Sequence, residues 1–179
     1  MRIIGGRYRG KKLISPLSSN VRPTSDKARE ALFNILRSRL GKDFSKLKLL
    51  DVFSGSGAFG CEAISQGFAA VSMIDIDLGD LLRNVALLAQ EENKIKLIKG
   101  DACKISNTGE KFDVMFMDAP YNKGLTEKAL ENMQTWLQPS ALCLIEVEKN
   151  EECNLPDGYR QIDERRYGLA KVIIAEYLC

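Results

Sequence analysis

One stretch constrains the whole chain: Leu49-Leu-Asp-Val-Phe-Ser-Gly-Ser-Gly-Ala-Phe-Gly60. Leu47 to Phe53 is an apolar run with the length and composition of a buried strand. It breaks at Ser54–Gly57, where Gly55 and Gly57 permit a tight turn and let backbone approach a ligand without a Cβ in the way. Ala58 to about Gln66 reads as a helix, closed by Gly67 in the position that favours left-handed backbone. Strand, glycine turn and helix make the first unit of a nucleotide-binding α/β sheet. The helix start adds unpaired N–H groups and the positive end of a dipole. Gly55, Gly57 and Gly60 also fit Gly-x-Gly-x-x-Gly, a spacing shared by dinucleotide sites and by tight turns that hold nothing.

Acids at the ends of the later strands narrow the ligand. A second strand, Ala69 to Ile74, ends in Asp75-Ile76-Asp77. An acid at this position accepts hydrogen bonds from the two hydroxyls of a ribose. Asp75 stands at the strand tip and is the better choice, while Asp77 starts the next helix, Leu78 to about Glu91. A third strand, Ile95 to Lys99, ends in Gly100-Asp101-Ala102. There Asp101 can accept from the exocyclic amine of an adenine while the Ala102 N–H reaches a ring nitrogen, although Gly-Asp alone is also a common turn. The fourth strand, Phe112 to Met117, runs into Asp118-Ala119-Pro120-Tyr121. Asp118 supplies one acceptor, the Ala119 carbonyl a second in a turn stiffened by Pro120, and Tyr121 a flat ring. Two acceptors beside a stacking face are what holding a planar amine requires.

The rest of the chain completes an α/β pattern: a helix over Leu125–Leu137, a buried strand over Ala141–Val147, and two strand-like segments, Tyr159–Arg166 and Lys171–Leu178. These last two join at Tyr167-Gly168 as an antiparallel hairpin. The 179 residues suit one compact domain. No apolar run approaches the ~20 residues of a membrane span. The first residues lack the apolar core of an export signal. Five scattered cysteines without a Cys-x-x-Cys pair suggest reduced thiols in a cytoplasm rather than a zinc site or disulfide framework. Histidine is absent, which excludes Ser-His-Asp and Cys-His catalysis and His-based metal centres.

Charge is distributed unevenly. Residues 1–46 carry 12 Lys and Arg against three acids, whereas residues 47–179 carry 14 against 21. A basic extension on an acidic body suggests an anionic polymer as partner. Arg2, Arg7, Arg9, Lys11 and Lys12 crowd a hairpin of two short strands that turns near Arg9-Gly10, with Tyr8 among them to stack on a base. Gly5-Gly6 suggests a bulge or a close approach of another backbone. After a loop over 16–23, Thr24 reads as the cap of a helix from about Ser25 to Leu40. Arg22, Thr24, Lys27 and Arg29 lie near its start, within reach of a nucleic-acid backbone.

Taken in order, Asp51–Gly57, the acid after strand two and Asp118-Ala-Pro-Tyr121 resemble the S-adenosylmethionine-dependent methyltransferases that act on exocyclic amines. Arg2-Ile-Ile-Gly-Gly-Arg-Tyr-Arg-Gly10 and Arg22-Pro-Thr-Ser-Asp-Lys-Ala-Arg-Glu-Ala-Leu-Phe-Asn34 narrow the resemblance to the RsmD family, over nearly the whole chain. These are bacterial 16S rRNA methyltransferases of guanine 966 N2. The resemblance implies a class I, Rossmann-like α/β fold, with seven strands, a reversed C-terminal β-hairpin and a basic N-terminal hairpin-helix extension. Residues 1–46 would form that RNA-facing extension, and residues 47–179 the methyltransferase core. It implies that Asp51, Phe53, Ser54, Gly55 and Gly57 cradle the methionine part of S-adenosylmethionine, that Asp75 holds the ribose and that Asp101 with Ala102 holds the adenine. Asp118, Ala119, Pro120 and Tyr121 would then form the catalytic turn, Asp118 also bordering the cofactor. The partner would be 16S rRNA, in the small subunit or an assembly intermediate, met by a metal-free monomer. The first proline of the family's usual turn is replaced by Ala119. Three other readings compete: an NAD-dependent oxidoreductase, an adenine-N6 methyltransferase, and an RNA-binding assembly factor without catalysis.

Overall fold

The computed structural model describes residues 1–15, 25–107, 109–121 and 123–179. The expectations for Arg22 and Thr24 therefore lie outside the described residues. Seven strands among the described residues form one sheet in the order β3-β2-β1-β4-β5-β7-β6. They are β1 (Lys48–Val52), β2 (Ala70–Asp75), β3 (Ile95–Lys99), β4 (Phe112–Asp118), β5 (Leu137–Glu148), β6 (Tyr159–Tyr167) and β7 (Ala170–Tyr177). β1 to β5 run parallel, and β7 is antiparallel to both β5 and β6. This is the Rossmann-like sheet with a reversed terminal hairpin. The helices are α1 (Asp26–Leu40), α2 (Ala58–Ser65), α3 (Gly79–Val85) and α4 (Leu125–Met133). None of the described helices is long and apolar enough to cross a membrane.

Side-chain alternation divides the core into two layers. On one face Leu49, Met73, Phe116 and Leu144 pack with Leu32, Phe33 and Leu36 of α1 and with Phe59 of α2. Phe59 stacks on Phe116 with ring centroids 3.8 Å apart. On the other face Leu50, Met115, Met117 and Ile145 pack with α4 and Trp136. Two residues on from Leu49, Met73, Phe116 and Leu144 stand Asp51, Asp75, Asp118 and Glu146. The alternation thus aims four carboxylates at the same side, along the carboxyl edge of neighbouring parallel strands, where ligands bind such sheets.

Several elements differ from expectation. The helix read as far as Glu91 keeps α form only to Val85, then tightens into a 3-10 helix, Ala86–Lys94, with a kink at Leu88. Lys11 Nζ donates to the Leu87 carbonyl at 2.6 Å, so that acceptor is shared with a group outside the helix. The helix after Gly124 stops at Met133 and ends in a 3-10 turn, Gln134–Trp136. β5 begins at Leu137 rather than Ala141. Pro139 and Ser140, left between the expected helix and strand, belong to an irregularity in its pairing with β4, and Ser140 takes a φ of 66°. The cap of α1 is Ser25, whose Oγ accepts from the Ala28 N–H at 3.1 Å. The N-terminal segment forms a single antiparallel bridge, Arg2 to Lys12, rather than two strands.

Candidate active site

The chain leaves β1 at Phe53, whose φ of 60° is strained for a side chain with a Cβ. Two glycines complete the reversal, Gly55 and Gly57 at φ 54° and 73°. A Cβ on Gly57 would fall 2.2 Å from Leu81 Cδ1, whereas one on Gly55 would meet nothing within 4 Å. Gly57 is thus required by packing, and Gly55 leaves space above the turn. A Cβ on Gly60 would fall 2.5 Å from Met73 Sδ, so the third glycine lets α2 lie against β2.

Asp51 faces the start of α2 and is 1% exposed. Its Oδ2 accepts from the Gly60 N–H at 2.9 Å, and its Oδ1 is buried without a hydrogen-bond partner. Burial pushes its carboxyl from 3.8 up to about 7; the Gly60 bond opposes this and the charge of Asp75 adds to it. At the tip of β2, Asp75 accepts from the Gly55 N–H at 2.7 Å and from the Asp77 N–H at 3.0 Å. It thereby locks the glycine turn onto the neighbouring strand. Asp101, just beyond β3, accepts from the Cys103 N–H at 2.9 Å and pairs with Lys104 at 3.3 Å. The Cys103 N–H is the main cause holding its carboxyl below the ordinary range. Ala102 is buried, and its carbonyl accepts from Asn132.

Asp118 ends β4, Ala119 is buried and Pro120 exposed. The Tyr121 hydroxyl donates to Glu146 Oε1 at 3.1 Å. Burial first, then the charges of Glu146 and Asp118, push the phenol far above its ordinary range, so it remains a donor. Glu146 stands opposite Asp118 in the β4–β5 register and is 6% exposed. Tyr121 and Glu146 border a groove of about 390 Å³ whose other walls are the first turns of α1 and the β6–β7 turn. Sequence reasoning passed over Glu146 because it sits inside the apolar run Ala141–Val147. The sequence offered only a local hint, one acid near the carboxyl end of an otherwise buried strand; its place opposite Asp118 comes from the register.

The basic residues separate into two groups. Arg7, Arg9, Lys11, Lys12 and Lys27 are all exposed, and Lys27 lines the groove. Arg7 turns to the body, donating to Glu91 Oε1 at 2.6 Å and Gln90 Oε1 at 2.8 Å, and Lys11 holds the Leu87 carbonyl. Arg29 corrects the expectation of an RNA contact: its side chain is wholly buried, 2.9 Å from Asp26 Oδ1 and 3.6 Å from Glu62 Oε2. Glu62 in turn accepts from the Ile4 and Gly5 N–H groups, so this buried pair fastens the N-terminal segment to α2. Tyr8 is likewise committed. Its ring packs against the core under Arg7 and Lys11, with their charged ends 5.6 and 5.2 Å from its centroid, and is no open platform for a base.

Comparison with known proteins places the chain in a family. Residues 1–176 match the family model described as "Conserved hypothetical protein 95". The ribosomal RNA small subunit methyltransferase D of Haemophilus influenzae is 32% identical over 177 residues, covering 94% of this chain and 90% of that protein. Its namesake in Escherichia coli K12 is 34% identical over 154 residues, covering 83% and 75%. The solved structure of the yhhF protein from Escherichia coli superposes with a TM-score of 0.82 at 29% identity, covering 99% of this chain and 98% of that one. On the match of nearly its full length to that model and to these relatives, the chain belongs to the RsmD family of ribosomal RNA small subunit methyltransferases.

Proposed function

We propose that this protein transfers the methyl group of S-adenosylmethionine to the exocyclic N2 amine of a guanine in 16S rRNA, guanine 966 by family resemblance. The observation that carries this reading is the turn Asp118–Tyr121 on the same sheet edge as the glycine turn of β1, in a chain of this family. The cofactor reading is supported by an unsatisfied buried acceptor, Asp51 Oδ1, and, four residues on in the same turn, by Gly55, where an added Cβ would meet nothing within 4 Å. Such an atom suits the ammonium group of the methionine part. Asp75 is partly exposed, and its two oxygens have acceptor capacity beyond the two N–H groups they now hold. That capacity suits ribose hydroxyls. Asp101 and Ala102 would flank the adenine. The small subunit, or an assembly intermediate of it, is the partner this reading requires, met in the cytoplasm by a monomer.

When bound, the cofactor supplies a methyl group activated by a positive sulfur. The residues of this chain have the task of preparing the nitrogen. Guanine N2 is a poor nucleophile because its lone pair is delocalised into the ring. Asp118 and the Ala119 carbonyl accept its two N–H groups, which favours a pyramidal nitrogen and frees the lone pair for attack. Orientation and charge stabilisation are then the main contributions. The proton released from N2 passes to the Asp118 carboxylate or to water. Alanine in place of proline at 119 keeps the accepting carbonyl.

The test uses small ribosomal subunits from cells lacking the protein, incubated with purified chain and methyl-labelled S-adenosylmethionine. The rRNA is digested and the labelled nucleoside identified. The expected product is N2-methylguanosine. Label in N6-methyladenosine would overturn the guanine assignment. Absence of label while the cofactor still binds would favour an RNA-binding role without catalysis.

A further inference from the structure

Resting on that reading, we propose that Glu146 is the residue that selects guanine, by accepting the guanine N1–H while Asp118 and the Ala119 carbonyl hold the N2 amine. Three observations place it there. Glu146 is opposite Asp118 on the adjacent parallel strand, so the two side chains leave the sheet on the same side from strands about 4.8 Å apart. It lines the groove beside the catalytic turn. Its Oε1 takes the Tyr121 hydroxyl at 3.1 Å, which fixes the carboxylate beside the ring expected to face the base.

Glu146 is a buried acid that holds the Tyr121 hydroxyl. At 6% exposure Glu146 lies on the same face as Leu144, with Val172 opposite it on β7. Burying a carboxylate costs desolvation that its bonds within the protein must offset, and the Tyr121 hydroxyl is one such bond. A carboxylate has about four lone-pair positions, so the Tyr121 bond and a further contact within the protein still leave room for a ligand donor.

The chemistry of the bases supplies the specificity. Guanine presents N1–H and N2–H2 side by side, a row of donors that suits two neighbouring carboxylates. Adenine presents N6–H2 beside N1, a bare acceptor. A carboxylate facing that acceptor places lone pair against lone pair, and a site that rejects by an unmatched buried polar group discriminates strongly. Asp118 alone cannot make this distinction, because both bases offer it an amine.

The experiment uses the full chain and reconstituted small subunits carrying guanine or 2-aminopurine at the methylated position. 2-Aminopurine keeps the N2 amine but has an acceptor at N1. The wild-type enzyme is expected to methylate guanine about 10–100-fold better in kcat/KM than 2-aminopurine, the range of one hydrogen bond to a charged group. Glu146→Gln keeps the shape and an acceptor for Tyr121, and its amide can donate to the bare N1. It should lose rate on guanine, gain on 2-aminopurine and so shrink or reverse the ratio, with cofactor affinity unchanged. A packing residue would lower both substrates alike. Equal rates on the two bases with wild-type enzyme overturn the proposal even if the variant fails to fold, and so does an unchanged ratio in a folded variant. Neither result touches the guanine-N2 reading when N2-methylguanosine is the wild-type product. Label on adenine N6 instead overturns both.

Discussion

Asp51 is held in conflict: its charge is buried, yet one carboxylate oxygen has no donor. Its folded-state value of about 7 lies above the ordinary 3.8. The folded protein therefore keeps a proton that the unfolded chain releases, and stability falls as pH rises from about 4 to about 7, then levels off. A carboxyl raised this far puts the cost of the charged form at about 4 kcal/mol above pH 7. Asp51→Asn removes that cost. Urea midpoints should show the variant more stable than wild type at pH 8, with the gap narrowing as pH falls and closed only near pH 4. Cofactor binding should move in the opposite sense. If the ammonium group of S-adenosylmethionine is the missing donor, wild-type affinity measured by calorimetry rises between pH 6 and 7.5 as Asp51 ionises. The variant binds weakly with no such slope; tight binding by the variant at pH 8 would remove Asp51 from the ammonium site.

At the scale of elements, the N-terminal segment is joined to the core by backbone rather than by its charges alone. Ile4 and Gly5 donate to Glu62, and the Arg7 N–H donates to the Ser65 carbonyl at 2.8 Å. Gly6 is the tightest point: at φ 74° a Cβ would fall 1.7 Å from that same carbonyl. Gly6→Ala should separate the segment from α2 and lower stability by about 2–4 kcal/mol, combining backbone strain with lost contacts. Hydrogen exchange should quicken at residues 3–13 ahead of the sheet; uniform protection would show that the segment tolerates the shift. The Gly5-Gly6 pair announced this approach in the sequence, as the apolar runs announced β1, β2, β3 and β4. The errors fall where tertiary contacts override local pattern. Lys11 claims a helix carbonyl at Leu87, and Pro139-Ser140 looks like a turn but lies within a strand. Glu146 escaped notice because its meaning depends on β4–β5 register, which brings it opposite Asp118 and which no local window contains.

Across the whole molecule, the basic extension is not a separate arm on an acidic core. Ile3, Leu13, Leu32, Phe33 and Leu36 share the buried layer that lies over β1, β2 and β4. Asn84, buried, donates both to the Ile14 carbonyl and to the Ser56 carbonyl of the glycine turn, tying extension to cofactor edge. The surplus of positive charge in residues 1–46 therefore divides between cations that hold the fold and cations that face solvent. Arg9, Lys12 and Lys27 belong to the second kind, and Arg29 to the first. RNA binding measured against salt separates them. Each phosphate contact steepens the dependence of log K on log salt by about 0.7–0.9. Arg9→Ala, Lys12→Ala and Lys27→Ala should each flatten the slope by about that amount without moving the unfolding midpoint. Arg29→Met should do the reverse: by leaving Glu62 buried with less compensation it should cost about 3–5 kcal/mol of stability. The salt slope of its folded fraction should equal that of wild type. A flattened slope for Arg29→Met would mean that the extension opens when it meets RNA and exposes a guanidinium that the free protein keeps inside.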